Sequence, residues 1–309
     1  MPLSVVFFGT PEMGVETLQA LAASKHDIAA VVTAPDRPSG RGMQLRASPV
    51  KEVAIGLGLP VLQPTTLRSP EVVDELTSLR ADLFVVTAYG LILPPAVLQI
   101  PSLGCLNVHF SLLPRHRGAA PVQWALIEGD DETGVTIMRM DEGMDTGNIV
   151  TTVREPILPG DTTGSLSKRL SIKGAPLLVD VIDRRDGDFR GVAQDGSQAT
   201  YAPKLRSTDA KLDWTLDADA IERKVRAFDP RPGAWGILDG KRLKFWEVAV
   251  GNDDPQIPPG SLVVEREVMK ISTGSNSIEC RVVQPEGGSR MSAAEFLRGH
   301  RPSTPAKLS

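Results

Sequence analysis

Residues 104–111 read GCLNVHFS, an apolar run interrupted by Asn107 and His109. Side chains of an extended strand alternate faces, so Cys105, Asn107 and His109 share one face and Leu106, Val108 and Phe110 the other. At about 3.3 Å per residue, Asn107 and His109 lie roughly 6.6 Å apart, which lets an amide and an imidazole converge on one small ligand group beyond the strand end. A working imidazole needs a carboxylate to orient it and balance its charge. The stretch MDEGMDTGNIV at 140–150 offers Asp141, Glu142 and Asp145. Gly143 and Gly147 flank Asp145 and allow its backbone a close approach, which favours it weakly; all three remain candidates. Cys105 is roughly 13 Å from His109 by the same rise and is therefore discounted as a nucleophile paired with it.

These residues need a frame that delivers them to a strand end. The first 190 residues alternate strand-like and helix-like segments, the pattern of a mostly parallel sheet with covering helices. SVVFFG at 4–9 reads as a buried strand, and Thr10 and Pro11 as the N-cap and first turn of a helix. Further strands are expected at DIAAVVTA, PVLQ, ADLFVVTA (81–88), GVTIMRM (134–140) and NIVTTVREPI (148–157). Helices are expected from Val50, from Ser69-Pro70-Glu71 and over roughly 162–184. Ligands of open α/β sheets gather beyond the carboxyl ends of the strands, where Pro114 and the Gly-containing RGAAP follow His109. The first turn, GTPEMG, carries neither a dinucleotide fingerprint nor a P-loop, so Gly9 and Gly14 read as tight-turn and packing residues. Residues 1–189 form the expected catalytic domain. Residues 190–206 are polar and aperiodic, as a linker would be, and 207–309 hold one helix pattern and short β-rich segments, the makings of a small barrel or sandwich.

With 309 residues, 41% of them hydrophobic, the chain can bury a sizeable core. No run approaches the ~20 apolar residues needed to span a bilayer, and the opening MPLSVVFFGTPEMG lacks a signal-peptide pattern, so a cytoplasmic protein is expected. Two cysteines cannot make a disulfide framework, and four histidines without ligand spacing predict no metal site. The net charge of −4 argues against a generic nucleic-acid binder. Residues 207–309 balance 15 Lys and Arg against 15 Asp and Glu, so the acidic surplus lies in the first part. Against that surplus, Arg37, Arg41, Arg46 and Lys51 oppose only Asp36 in a long segment between elements, a basic arm suited to phosphates and base edges.

The stretch NVHFSLLPRHRGAAPVQWAL, followed by MDEGMDTGNI, resembles the folate-dependent formyltransferases. The resemblance runs nearly end to end: FFGTPEMG is similar to that family's first strand and turn, APDRPSGRGMQLRASPVK to an inserted substrate loop, and VRAFDPRPGAW to the entry of a C-terminal domain. It implies a Rossmann-like formyltransferase domain followed by a small OB-like β-barrel. It also implies transfer of the formyl group of 10-formyltetrahydrofolate, a co-substrate, to the free amine of methionyl initiator tRNA, with no metal needed; a monomer without membrane attachment is expected. The alternative acceptor is a small amine such as that of an amino-sugar nucleotide, which the basic loop and the appended β-domain disfavour. By the same resemblance Asn107, His109 and Asp145 are the catalytic residues, Ser111, Leu112, Leu113 and Pro114 line the folate site, and Arg41, with Arg37 and Arg46 beside it, meets tRNA. Asp145 is expected to hold His109 and raise its pKa.

Overall fold

The computed structural model describes residues 1–39, 44–184, 189–252, 257–300 and 306–309. The chain divides into two compact units. The first comprises Met1–Pro121, Glu132–Pro156 and Ser167–Pro203; the second comprises Val122–Asp131, Ile157–Leu166 and Lys204–Ser309.

The first unit is built on a seven-stranded sheet. Its strands are β1 (Ser4–Gly9), β2 (Asp27–Val32), β5 (Val61–Leu62), β6 (Leu83–Thr87), β7 (Cys105–His109), β8 (Glu132–Arg139) and β9 (Ile149–Pro156). In space they run β5-β2-β1-β6-β7-β8-β9. The pairings through β7 are parallel, and β8 and β9 extend the sheet antiparallel. A separate two-stranded ribbon pairs β3 (Arg37–Ser39) with β4 (Gln44–Arg46).

Parallel strands are buried on both faces, which is why β1 and β6 are unbroken apolar runs. Phe84 lies opposite Cys105, and Val86 opposite Asn107. The face carrying Cys105 thus continues the apolar layer of Val6, Phe8, Phe84 and Val86. On the opposite face, α6 (Thr163–Arg184) crosses β7 and β8 through Gly174, where an added Cβ would stand 3.0 Å from Val135 and 3.2 Å from Val108. The apolar half of the site strand is therefore packed closely under a helix whose crossing residue is a glycine.

The cap expected at Ser69 forms, and Ser48, before Pro49, supplies one that the helix expected from Val50 did not include. Ser48 and Ser69 cap α2 (Pro49–Gly56) and α3 (Pro70–Ser78), each accepting a backbone N–H three residues on, with proline at the first helical position. Thr10 does something else. After a short 3₁₀ turn at Glu12–Gly14, α1 (Val15–Ala22) begins without a side-chain cap. The Thr10 hydroxyl instead donates to the Tyr89 carbonyl at 3.0 Å and accepts from the Ala34 amide at 3.3 Å. It ties together the residues that follow β1, β2 and β6, so the carboxyl edge of the parallel sheet outcompetes the helix end for this hydroxyl.

The segment expected as a linker is engaged as far as Pro203. Val192 bridges Ile149, and Arg117 bridges Tyr201. Arg117 N–H donates to the Thr200 carbonyl at 2.9 Å, and Ala202 N–H to the Arg117 carbonyl at 2.7 Å. Short polar segments leave no hydrophobic period to read, yet their backbone groups must pair somewhere, and here they pair with the site.

The second unit carries an antiparallel sheet in the order β10 (Ala234–Leu238), β11 (Lys241–Gly251), β14 (Ser277–Pro285), β13 (Val268–Ser272), β12 (Leu262–Glu265), with β15 (Met291–Ser292) paired to β14. Helix α7 (Ala218–Ala227), capped by Asp217, sends Ile221 and Val225 into its core. Trp214 meets Phe245 edge-on, with ring centroids 5.5 Å apart.

Replacing Gly174 with Ile should overpack the α6 crossing and lower the unfolding free energy by about 1–3 kcal/mol, read from urea denaturation; an unchanged midpoint would mean that α6 does not press on Val108.

Candidate active site

Strand β7 delivers Asn107 and His109 to the same face, but the carboxylate reaches them by a route that the sequence did not reveal. Arg139, the last residue of β8, pairs with Leu106 near the start of β7, so the following loop begins at the wrong end of the strand. It folds back along the strand face. Gly147 permits this, because a Cβ there would lie 1.8 Å from the Arg139 carbonyl oxygen. Asp145 itself has φ 53°, a left-handed conformation that non-glycine residues adopt only when their surroundings fix them.

The result is a convergence of three side chains. Asn107 Nδ2 donates to Asp145 Oδ1 at 3.4 Å, and His109 Nδ1 faces Asp145 Oδ2 at 3.6 Å. The latter is ion-pair range rather than a hydrogen bond. The backbone N–H of Gly118 donates to the same Oδ2 at 2.8 Å. Of the two rival acids, Asp141 is exposed and turned inward on its own loop, accepting from the Gly143 amide at 3.0 Å and the Thr146 hydroxyl at 2.7 Å, while Glu142 is exposed. Asp145 is the only one of the three candidates set against His109.

His109 is buried and its other nitrogen is committed: Nε2 lies 3.0 Å from the His116 carbonyl oxygen. A carbonyl has lone pairs only, so Nε2 carries the hydrogen and donates it. The neutral ring therefore presents a bare Nδ1 to Asp145. His116 has φ 57°, and its own N–H donates to the Thr200 hydroxyl at 2.9 Å. Burial holds the His109 pKa below its ordinary 6.5, outweighing the Asp145 carboxylate and the His116 carbonyl, which pull it up. The carboxylate acts in the expected direction, raising the pKa, and desolvation outweighs it.

The turn Ser111–Pro114 is fixed by its neighbour in the sheet. Thr136 on β8 donates its hydroxyl to the Ser111 carbonyl at 2.7 Å and accepts the Leu113 amide at 3.2 Å. Ser111 is buried and gives its hydroxyl to the Arg115 carbonyl at 2.6 Å. Leu113 is buried, and Leu112 and Pro114 are half-buried. The Cys105 thiol is also buried, which pushes its pKa up to about 12 and leaves no thiolate at neutral pH.

Arg37 and Arg46 are directly paired across the β3–β4 ribbon and both are exposed; Arg41 lies outside the described residues. Lys51, counted with them from the sequence, is withdrawn from that group. Its Nζ donates to both oxygens of Asp36, at 2.9 and 2.7 Å, and to Gln63 Oε1 at 2.7 Å. Among the described residues no cluster of three or more His, Cys, Asp or Glu is placed to hold a metal ion, and no helix is long and apolar enough to cross a membrane.

Comparison with known proteins identifies the frame. The formyl transferase family model matches residues 3–182, and the model of the formyl transferase C-terminal domain matches residues 204–301. The chain belongs to the formyl transferase family. A relative in Hydrogenovibrio crunogenus, named methionyl-tRNA formyltransferase, is 46% identical over 96% of each chain, and one of the same name in Thiobacillus denitrificans is 44% identical over 99% of each. Among solved structures, the fold is shared with an N-formyltransferase of Helicobacter canadensis in complex with folinic acid and dTDP-3-aminofucose (TM-score 0.67, 20% identity, 91% of this chain and 99% of that one). It is also shared with HypX of Aquifex aeolicus in complex with tetrahydrofolic acid (TM-score 0.61, 17% identity, 96% of this chain), of whose longer chain this one spans 47%.

Two residues that hold the Asp145 loop escaped sequence reading. Gln194 sits in the supposed linker and donates its amide to the Asp145 carbonyl at 2.8 Å and the Gly147 carbonyl at 2.7 Å. Buried Arg117 donates to Gln194 Oε1 through Nε at 3.0 Å and Nη2 at 2.7 Å. Neither position has a spacing signal, since Gln194 holds backbone carbonyls, and Arg117 the side chain of Gln194, far away in the chain.

Asp145→Asn keeps the shape and removes the charge that pulls the His109 pKa up, so the midpoint should fall further, as imidazole NMR resonances would record; a rise would contradict the assignment of forces. The sign also fixes the effect on stability. With the folded pKa below the unfolded value, His109 contributes stability that is full above pH ~6.5 and is lost as pH falls through the folded pKa.

Proposed function

We propose that this enzyme moves the formyl group of 10-formyltetrahydrofolate to the α-amino group of methionyl initiator tRNA, giving N-formylmethionyl-tRNA. The observation that carries the reading is the set of relatives near 46% identity along 96% of the chain that bear this activity in their names, joined to a site with an amide donor, a bare imidazole nitrogen and a carboxylate. Folate enters as co-substrate, and the tetrahydrofolic acid and folinic acid in the distant structures support its class.

The residues divide the reaction as follows. The neutral amine attacks the formyl carbon, and the carbonyl electron pair moves to oxygen. Asn107 Nδ2 keeps a second hydrogen beyond the one facing Asp145, and this hydrogen stabilises the oxyanion. The proton released by the attacking amine passes to His109 Nδ1, where the imidazolium is stabilised by Asp145. His109 then returns that proton to N10 of the folate as the bond from formyl carbon to N10 breaks. The formamide and tetrahydrofolate leave, and the imidazole is neutral again. Ser111, Leu112, Leu113 and Pro114 form the turn beside which the folate lies.

Electrostatics support a polyanionic acceptor. Arg37 and Arg46 stand opposite each other on a two-stranded ribbon, where like charges repel unless an anion joins them. Arg41, between them in sequence, belongs to the same proposed tRNA contact. In the second unit, Arg242 stacks on Trp235 at 4.0 Å and Arg290 on Trp246 at 3.4 Å. The indole faces are thus occupied by the chain's own cations, which suits contact with phosphates rather than base stacking.

The test incubates the enzyme with 10-formyltetrahydrofolate and methionyl initiator tRNA, then with an amino-sugar nucleotide, and detects the N-formyl product by mass spectrometry. Product on the tRNA is expected, and product on the sugar alone would refute the reading. Asn107→Ala and His109→Ala should each lower kcat by on the order of 100-fold or more while folate still binds. Arg37→Ala and Arg46→Ala should each weaken tRNA use and reduce its salt dependence by about one counterion; an unchanged salt slope would remove the ribbon from the tRNA contact.

A further inference from the structure

Asp145 must hold a left-handed conformation, in a loop folded back over β7, to reach Asn107 and His109. What holds it there is a closed circuit. Gln194 uses its amide nitrogen to grip two carbonyls of the loop, those of Asp145 and Gly147, at 2.8 and 2.7 Å. Its oxygen is held in turn by Nε and Nη2 of Arg117, at 3.0 and 2.7 Å, so the amide cannot flip without losing all four bonds. Gly118, the residue after Arg117, donates its backbone N–H to Asp145 Oδ2 at 2.8 Å. One dipeptide thus controls both ends of the aspartate, the carboxylate directly and the main chain through Gln194. Gly118 also has no space for a side chain: at φ 125°, a Cβ would stand 2.6 Å from the Ala202 carbonyl. The same Ala202 carbonyl accepts the Ala120 amide, at 3.1 Å.

We propose that Gln194, locked by Arg117, is a positioning residue that sets the aim of the Asp145 carboxylate and so governs the turnover step without touching either substrate. The inference rests on the proposed formyl transfer for its kinetic readout only. A glutamine amide is suited to the task. It donates to two carbonyls and accepts from a guanidinium, adding no charge beside the carboxylate whose charge His109 uses. A glutamate there would set an anion against two carbonyl oxygens.

The experiment compares the full-length enzyme with its Gln194→Met, Arg117→Met and Asp145→Asn variants, and with Gln194→Met combined with Asp145→Asn. Methionine matches glutamine in size and cannot make the bonds. Gln194→Met should lower kcat by on the order of ten- to a hundred-fold, with KM for folate and tRNA unchanged. Arg117→Met should act in the same direction more weakly. In the Asp145→Asn background, Gln194→Met should add no further loss, because its effect runs through a carboxylate that is no longer there. Full multiplication of the two losses, or wild-type kcat in Gln194→Met, would overturn the proposal. The His109 titration gives a second readout that needs no substrate. Gln194→Met should shift its midpoint downward, as Asp145→Asn does, and an unmoved midpoint would also overturn the proposal. If the wild-type enzyme formylates no tRNA, the functional reading fails, and the titration still decides the role of Gln194.

Discussion

A single hydrogen governs this site: the one on His109 Nε2. The His116 carbonyl, 3.0 Å away, accepts and cannot donate, so the ring's other nitrogen is left bare and directed at Asp145. Burial keeps that nitrogen unprotonated at rest, while the carboxylate at 3.6 Å stands ready to stabilise a proton once it arrives. The two forces oppose each other: burial favours the neutral ring, the carboxylate favours the charged one, and burial prevails. In the proposed reaction the neutral ring is the base, and the carboxylate lowers the cost of charging it.

That arrangement explains the shape of its surroundings. His116 and Asp145 both occupy left-handed backbone, and Gly147 and Gly118 lie where any side chain would strike a carbonyl. Strain of this kind persists only when it is over-determined. The extra constraints come from residues 192–203, whose hydrogen bonds run to Arg117, His116 and the Asp145 loop. The parallel core, with α6 pressed against Val108, supplies the rigid floor on which these bonds act.

How much of this was legible in the sequence follows from what kind of interaction carries each part. Apolar runs gave the strands of the seven-stranded sheet, and the Ser69-Pro70 cap a helix start, because burial and capping leave local signatures. The period of a strand put Asn107 and His109 on one face. The resemblance pointed to Asp145, but residue types and spacing alone could not choose it over Asp141 and Glu142, because the loop's path back over β7 depends on a close approach of Gly147 to Arg139 rather than on any period. The glycines beside Asp145 hinted at it. The Thr10 hydroxyl was misread because its partners, Tyr89 and Ala34, are brought near only by the sheet. Gln194 was invisible for the same reason: a polar residue in an aperiodic segment has no sequence mark for the backbone it will hold. Lys51 was misread as free charge because Asp36 and Gln63 reach it only in the fold.

The most direct test of the account is the ¹⁵N spectrum of the His109 imidazole in the resting enzyme at neutral pH. A ring with hydrogen on Nε2 and a bare Nδ1 is the predicted state. Hydrogen on Nδ1 with a bare Nε2 would mean that the His116 carbonyl does not set the ring and that the base faces away from Asp145, contradicting the central claim.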